Sequence, residues 1–185
     1  MPRSTYQLDF ATRDVALLKS RKARVTKSYF LPLFKRGISI LQKEKPLREK
    51  MVGGEIQLIL SDDKEVRIVN RDYRGKDAPT DVVSLSYFEA ETKLTKKDEL
   101  IDVFADHRAV MGTENLLGEI IISVETAARQ AREHQKTLKQ ELQFLFVHGL
   151  LHVFGYDHEK VAERKIMFDL QDEILQTKSW RKIIG

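Results

Sequence analysis

The residues best suited to chemistry in this chain are His148, His152 and His158, in the stretch HGLLHVFGYDH (148–158). The chain has five histidines, and three of them fall here. A four-residue spacing puts the first two rings on one face of a helix, one turn or ~5.4 Å apart. Two imidazoles so placed can converge on one metal ion at ~2.0–2.1 Å each. Gly155 offers the left-handed backbone that commonly ends a helix. A chain that turns back there can bring His158 over as a third ligand. Three nitrogens with one coordination position free is the layout of a catalytic zinc rather than a structural one. Taken alone, a pair at i, i+4 on an apolar helix is more often two packed, hydrogen-bonded histidines than a metal site. The third histidine, three residues after a glycine, is what argues for a metal.

The spacing H-x-x-x-H-x-x-G-x-x-H is that of the metzincin proteases, with one departure. The glutamate that serves those enzymes as general base is Gly149 here. Glycine has no side chain to take a proton, so peptide hydrolysis by that mechanism is not expected, while metal binding survives. Three neutral imidazoles leave zinc its charge, which lowers the pKa of a bound water to about 7 and polarises a phosphoryl oxygen. A second segment, VNRDYRGKDAPTDVVS (69–84), is polar and sits between a helix and a strand. Its Arg71, Arg74 and Lys76 could face a phosphate backbone, and Thr80 and Asp81 follow Pro79 as turn-initiating residues. On its own the segment also reads as an ordinary loop with a type I turn.

Positioning these residues falls to strands first and helices last. Residues 5–10 alternate weakly as a first strand, and 24–43 look like one basic amphipathic helix, with Pro32 and Gly37 counting against its middle. After the break at Gly53–Gly54, residues 55–60 (EIQLIL) read as a strand. Ser61-Asp62-Asp63 caps a helix over about 62–73. Residues 82–88 and 118–123 are further strands, and 89–116 is a polar surface excursion. Ser123 caps a helix running to about 136. Thr137 and Gln140 form a capping box that starts the metal helix, about 138–154, on which Glu141, Leu145, His148 and His152 share a face. A last helix covers about 159–177, with Ile166, Leu170 and Ile174 along one stripe. The expected fold is α+β: a small mixed sheet with helices packed on one side, and a zincin-like, largely buried metal helix at its centre.

The 185 residues suit a single domain. The composition, 42% apolar and 32% charged, is that of an ordinary soluble protein. There is no cysteine, which excludes disulfides and thiolate metal sites and makes a reducing cytoplasm the simplest home. The first residues lack the apolar stretch of a signal peptide, and no run of about 18 apolar residues suggests a membrane span. The net charge of +4 is unevenly spread: residues 1–50 carry 13 Lys or Arg against 4 Asp or Glu. Such a basic N-terminal region fits a polyanion such as RNA, and fits equally a solvated helix face with a basic tail. His107 and His134 lack partner spacing and read as surface or satisfied histidines. Tyr87, Phe88 and Trp180 read as packing residues.

Taken together, the two segments resemble the YbeY family of bacterial endoribonucleases. The family pattern HGxLHLxGYDH lies over 148–158, with Val153 for its usual leucine. The pattern N-x-x-YRGKDxPTDVLSF lies over 70–85, with Val83 for leucine and Leu85 for phenylalanine, and Ser86 then stands where proline is usual. An L-G-D/E-I strand motif matches Leu117, Gly118, Glu119 and Ile120, and an E-L-x-F-L lead matches Glu141 to Leu145. These blocks follow the family's order from about 55 to 177. The N-terminal stretch and the 89–116 excursion are longer than the family leads one to expect. The resemblance implies one zinc ion per chain, held by His148, His152 and His158, and Arg74 acting on the substrate. It implies cleavage of single-stranded RNA, maturation of the 3′ end of small-subunit (16S) ribosomal RNA, and a part in ribosome quality control. The implied partners are ribosomal RNA precursor, the small ribosomal subunit and assembly GTPases.

A guanidinium is planar and always charged, so Arg74 can meet two phosphoryl oxygens at once. Asp157, Glu119, Asp81 and the substrate phosphate are the candidates for the missing base. Asp157 suits better a role as hydrogen-bond partner to an imidazole N–H. The attacking group is either a metal hydroxide or the ribose 2′-hydroxyl. The main alternative is a non-catalytic assembly factor, stabilised by zinc and binding preribosomal RNA through its basic region. The open fourth coordination position argues against it, since structural zinc normally has four protein ligands. A small-molecule metal hydrolase would need a deep closed pocket instead of a groove.

Overall fold

The apolar runs between residues 6 and 123 pair into one mixed sheet. The computed structural model describes residues 6–13, 15–18, 25–43, 53–87, 115–158 and 160–177. Strands β1 (Tyr6–Thr12), β2 (Gly54–Ser61), β3 (Val82–Ser86) and β4 (Leu116–Ser123) lie in the order β1-β2-β4-β3. β1 and β4 run parallel to β2, whereas β3 runs antiparallel to β4, with Val82 opposite Ile122 and Ser86 opposite Gly118. Among the described residues, five α-helices cover the sheet: α1 (Leu31–Leu41), α2 (Asp63–Arg74), α3 (Val124–Glu133), α4 (Leu138–Val153) and α5 (Val161–Leu175). The α+β class is as the order of strands and helices implied.

Both faces of the sheet are covered, not one. Leu8, Ile56, Leu58, Leu60, Ile120 and Ile122 meet the apolar faces of α1, α4 and α5 in the larger core. On the opposite face Ile59, Val83 and Ile121 pack with Val66 of α2. The run EIQLIL is apolar at consecutive positions because its strand is buried on both sides, the pattern of a sheet between two layers.

Local signals set the helix ends. The expected helix over 24–43 is a 3₁₀ turn (Lys27–Tyr29) followed by α1, with residue 24 outside the described residues. Pro32 lies in the first turn of α1, where a missing N–H removes no bond, so it starts the helix instead of breaking it. Asp62 caps α2 by accepting the Glu65 N–H at 2.8 Å, and Gly75, at φ +69°, ends it directly after Arg74. Ser123 caps α3 through the Thr126 N–H. The capping box of α4 is complete: the Gln140 N–H donates to Thr137 Oγ1 and the Thr137 N–H to Gln140 Oε1.

α4 is the central helix, and it lies directly on the sheet. A Cβ added at Gly149 would stand 2.7 Å from Ile120 Cγ2 and 3.0 Å from Ser84 Oγ. One added at Gly118 of β4 would stand 2.5 Å from Val153 Cγ1. These two glycines allow the helix and the strand to touch. The position where a metzincin carries its glutamate is here pressed against the sheet.

The buried stripe of α5 runs through Met167, Leu170, Gln171 and Ile174. Leu170 and Ile174 of the expected stripe are buried, whereas Ile166 is 54% exposed and Met167 takes its place. The 89–116 excursion falls largely outside the described residues, as do Phe88, His107 and Trp180.

Candidate metal centre

Helix α4 presents His148 and His152 one turn apart, and its C-terminus is built to return the chain to them. The Gly155 N–H donates to the His152 carbonyl at 3.0 Å and the Tyr156 N–H to the Leu151 carbonyl at 3.1 Å. That pair of bonds, with Gly155 at φ +83°, is a Schellman closure. His158 follows three residues later, its backbone N–H donating to Asp157 Oδ1 at 2.6 Å.

Among the described residues, His148, His152 and His158 form a group able to hold a metal ion, with one nitrogen from each lying within 4.8 Å of the others. His148 Nε2 and His152 Nε2 face each other at 3.2 Å. Two nitrogens ~2.0–2.1 Å from a tetrahedral ion stand about 3.3–3.4 Å apart, so this pair already has the separation of a tetrahedral edge. The ring centroids of His158 lie 5.3 and 5.1 Å from those of His148 and His152. Three nitrogens with no thiolate or carboxylate in the set suit zinc, and also nickel, copper or iron.

Burial favours the neutral form of the two rings on α4. Burial pushes His152 down to about 4, with the His148 and His158 charges adding to the effect. Burial also lowers His148, opposed by the hydrogen bond that Gln171 Oε1 accepts from its ring. A neutral imidazole keeps a lone pair for a metal. The rings are braced by neighbours that the sequence reading did not single out. His148 Nδ1 lies 3.1 Å from Gln171 Oε1 on α5. Phe144 stacks near His148 and Phe168 near His158, with interplanar angles of 15° and 16°. Arg164 Nε donates to the His158 carbonyl at 3.0 Å. The legible signal for Gln171 was a polar residue on the apolar stripe of a helix, since a buried amide needs a partner.

Arg74 is exposed at the C-terminal end of α2. Its charge disfavours protonation of both His148 and His152, so its guanidinium is within electrostatic reach of both rings. The loop after it is fastened down. Asn70, 4% exposed, donates from Nδ2 to the Ala78 carbonyl at 2.8 Å, and Arg67 grips Asp77 with two bonds of 2.7 and 2.9 Å. Arg71 is exposed and paired with Asp72 at 2.8 Å. Lys76 is exposed, its backbone N–H donating to the Asn70 carbonyl at 3.3 Å.

The three acidic candidates sit differently. Asp81 accepts from the Val82 N–H, Thr80 Oγ1 and Gln130 Nε2 at 2.7, 3.1 and 3.0 Å. Its charge favours protonation of His148, and that of Asp157 favours protonation of His152. Glu119 on β4 accepts from the Tyr87 hydroxyl at 3.0 Å. His134 is a satisfied histidine, 3.4 Å from Glu141, whose carboxyl burial pushes up. Among the described residues, no helix is long and apolar enough to cross a membrane.

Comparison with known proteins gives a consistent set of matches. A family model described as "Endoribonuclease YbeY" matches residues 17–179. A Geobacillus protein named "Endoribonuclease YbeY" is 46% identical over 124 residues, 67% of this chain and 72% of that one. One of the same name from Enterococcus faecalis is 46% identical over 121 residues, 65% of this chain and 72% of the relative. A solution structure of a Thermotoga maritima protein aligns over 95% of this chain and 92% of its own, at 20% identity and a TM-score of 0.46.

Proposed function

This chain belongs to the YbeY endoribonuclease family, and from that premise we propose that it is a metal-dependent endoribonuclease that cuts single-stranded RNA. The observation that carries the metal part is the convergence of three imidazole nitrogens within 4.8 Å. The relatives' shared name carries the RNA part.

His148, His152 and His158 would hold one zinc ion per chain. When bound, that ion would supply Lewis acidity toward a phosphoryl oxygen and a nucleophile available near neutral pH. The protein's own residues do the rest. Attack on phosphorus gathers negative charge on the non-bridging oxygens, and the Arg74 guanidinium meets two of them in a planar, charge-assisted contact. Arg71 and Lys76 lie close in sequence on an exposed segment and engage flanking phosphates, a contribution that weakens with salt. Asp157 fixes the returning chain by accepting the His158 N–H. Gly149 leaves no room for a side chain beside the ligands, so the base must come from elsewhere: Asp157, Glu119, Asp81 or the substrate phosphate.

The finer reading follows the family resemblance. The substrate is ribosomal RNA precursor, matured at the 3′ end of the small-subunit (16S) RNA, with a part in ribosome quality control. The small ribosomal subunit and an assembly GTPase are the partners, and the cytoplasm is the place of action.

The test uses purified full-length chain, without a histidine tag, on matched single- and double-stranded RNAs and on a defined ribosomal precursor. Cleavage of the single strand and of the precursor, absent in His152→Ala, is expected. Equal trace cleavage by both proteins would point to a contaminant and remove the proposal.

A further inference from the structure

Helix α5 looks from its sequence like a packing element, but one residue on its buried stripe is polar. Gln171 is 1% exposed, between the apolar positions Leu170 and Ile174. Its Oε1 lies 3.1 Å from His148 Nδ1. The same ring presents Nε2 to His152 Nε2 at 3.2 Å. The two ring nitrogens thus face two different partners, one on each side.

A neutral imidazole carries one proton, on one nitrogen or the other. An amide oxygen only accepts. If Gln171 Oε1 takes a hydrogen bond from His148, the proton is on Nδ1 and the lone pair is on Nε2, pointing at the place where the three histidines converge. The opposite tautomer would leave two acceptors facing each other across 3.1 Å, and a proton where a metal must sit. We infer that Gln171 is a positioning residue for the metal, which selects the Nδ1–H tautomer of His148 and so aims its Nε2 lone pair at the ion. The inference rests on the three-histidine metal reading above.

Helix α5 also holds the third ligand, through Phe168 beside the His158 ring and Arg164 on the His158 carbonyl. The choice of amide over carboxylate has its own meaning. Partners of ligating imidazoles raise ligand basicity, and a carboxylate does so more strongly than an amide. It would also add a negative charge next to the site. A glutamine partner adds no charge, so a divalent ion there would keep its charge for a phosphodiester anion.

Three full-length proteins test this: wild type, Gln171→Leu and Gln171→Glu. Zinc affinity is read by competition with a chromophoric chelator. The His148 tautomer is read from imidazole ¹⁵N shifts of the metal-free wild type, and folding from far-UV circular dichroism. Gln171→Leu should stay folded and bind zinc about 10–100-fold more weakly. Gln171→Glu, which keeps an acceptor, should bind at least as tightly as wild type. Metal-free His148 should carry its proton on Nδ1. Wild-type affinity in a folded Gln171→Leu would overturn the inference, as would equal losses in both variants, which would mean packing alone. If Gln171→Leu does not fold, the tautomer decides: a proton on Nε2 would mean that the amide is turned to donate, and Gln171 does not prepare the site. A wild type that binds no zinc would instead sink the metal reading, leaving the tautomer to judge Gln171.

Discussion

Replacing Gly149 by alanine sets two well-characterised effects against each other, and the structure says which wins. In a helix interior alanine is favoured over glycine by about 1 kcal/mol. On propensity alone Gly149→Ala should therefore stabilise α4. The new Cβ, however, would stand 2.7 Å from Ile120 Cγ2, 3.0 Å from Ser84 Oγ and 3.4 Å from Val82 Cγ2. Ile120 is fully buried in the central part of the sheet, and its β-branched side chain has little rotamer freedom to yield. Something must move, and overpacking of this kind costs about 1–3 kcal/mol. Subtracting the propensity gain from the middle of that range leaves a net loss of about 1 kcal/mol, or about 2–4 °C in Tm for a chain of this size. Gly149→Glu, which restores the metzincin residue, should lose about 3 kcal/mol or more, because a carboxylate is forced into the same contact. Urea unfolding of the metal-free proteins, with m-values compared, reads both numbers. The helix that must shift also carries two ligands, so zinc affinity should fall in parallel. A Gly149→Ala protein as stable as wild type, or more so, would refute the claim that glycine is there for close approach.

Arg74→Ala should lower turnover by an amount corresponding to about 3–4 kcal/mol in the barrier while zinc stays near one per chain by metal analysis; loss of zinc would make the residue structural. Burial works to raise the Asp63 carboxyl, but hydrogen bonds from Ser123, Thr126 and Arg129 outweigh it and hold the group below its ordinary 3.8. The stability it contributes is thus present above about pH 4 and lost as pH falls through the folded value, so Asp63→Asn should flatten the acid limb of stability measured by urea at stepped pH. Asp157→Ala should weaken zinc binding by about tenfold without moving the pH–rate profile; a displaced profile would mark Asp157 as the base.

The parts of this fold that were legible in the sequence are those governed by local chemistry. Thr137 and Gln140 announce the start of α4 because only a residue with a short side-chain oxygen satisfies its first N–H groups. Gly155 announces its end because the closing turn needs a positive φ. The histidine spacing is likewise local, and the three rings do converge. What escaped depends on contacts between distant segments. Gly149 looked like a missing catalytic glutamate, and only the sheet beneath it explains the glycine. Gln171 lies 23 positions from His148, a separation at which no periodicity pairs two residues. Ile166 fits the apolar spacing of α5 as well as Met167 does, and packing chose the latter. The second face of the sheet was hidden for a related reason: a continuous apolar run does not say which side each residue takes.

The central claim is one metal ion, held by His148, His152 and His158, on which RNA cleavage depends. Zinc titration of the metal-free full-length chain, with cleavage of a single-stranded RNA followed at each step, tests it most directly. Activity should rise from background and saturate at one equivalent in the wild type, and stay at background throughout in His152→Ala. Full cleavage by the metal-free protein, or a His152→Ala protein that zinc restores, would contradict the account.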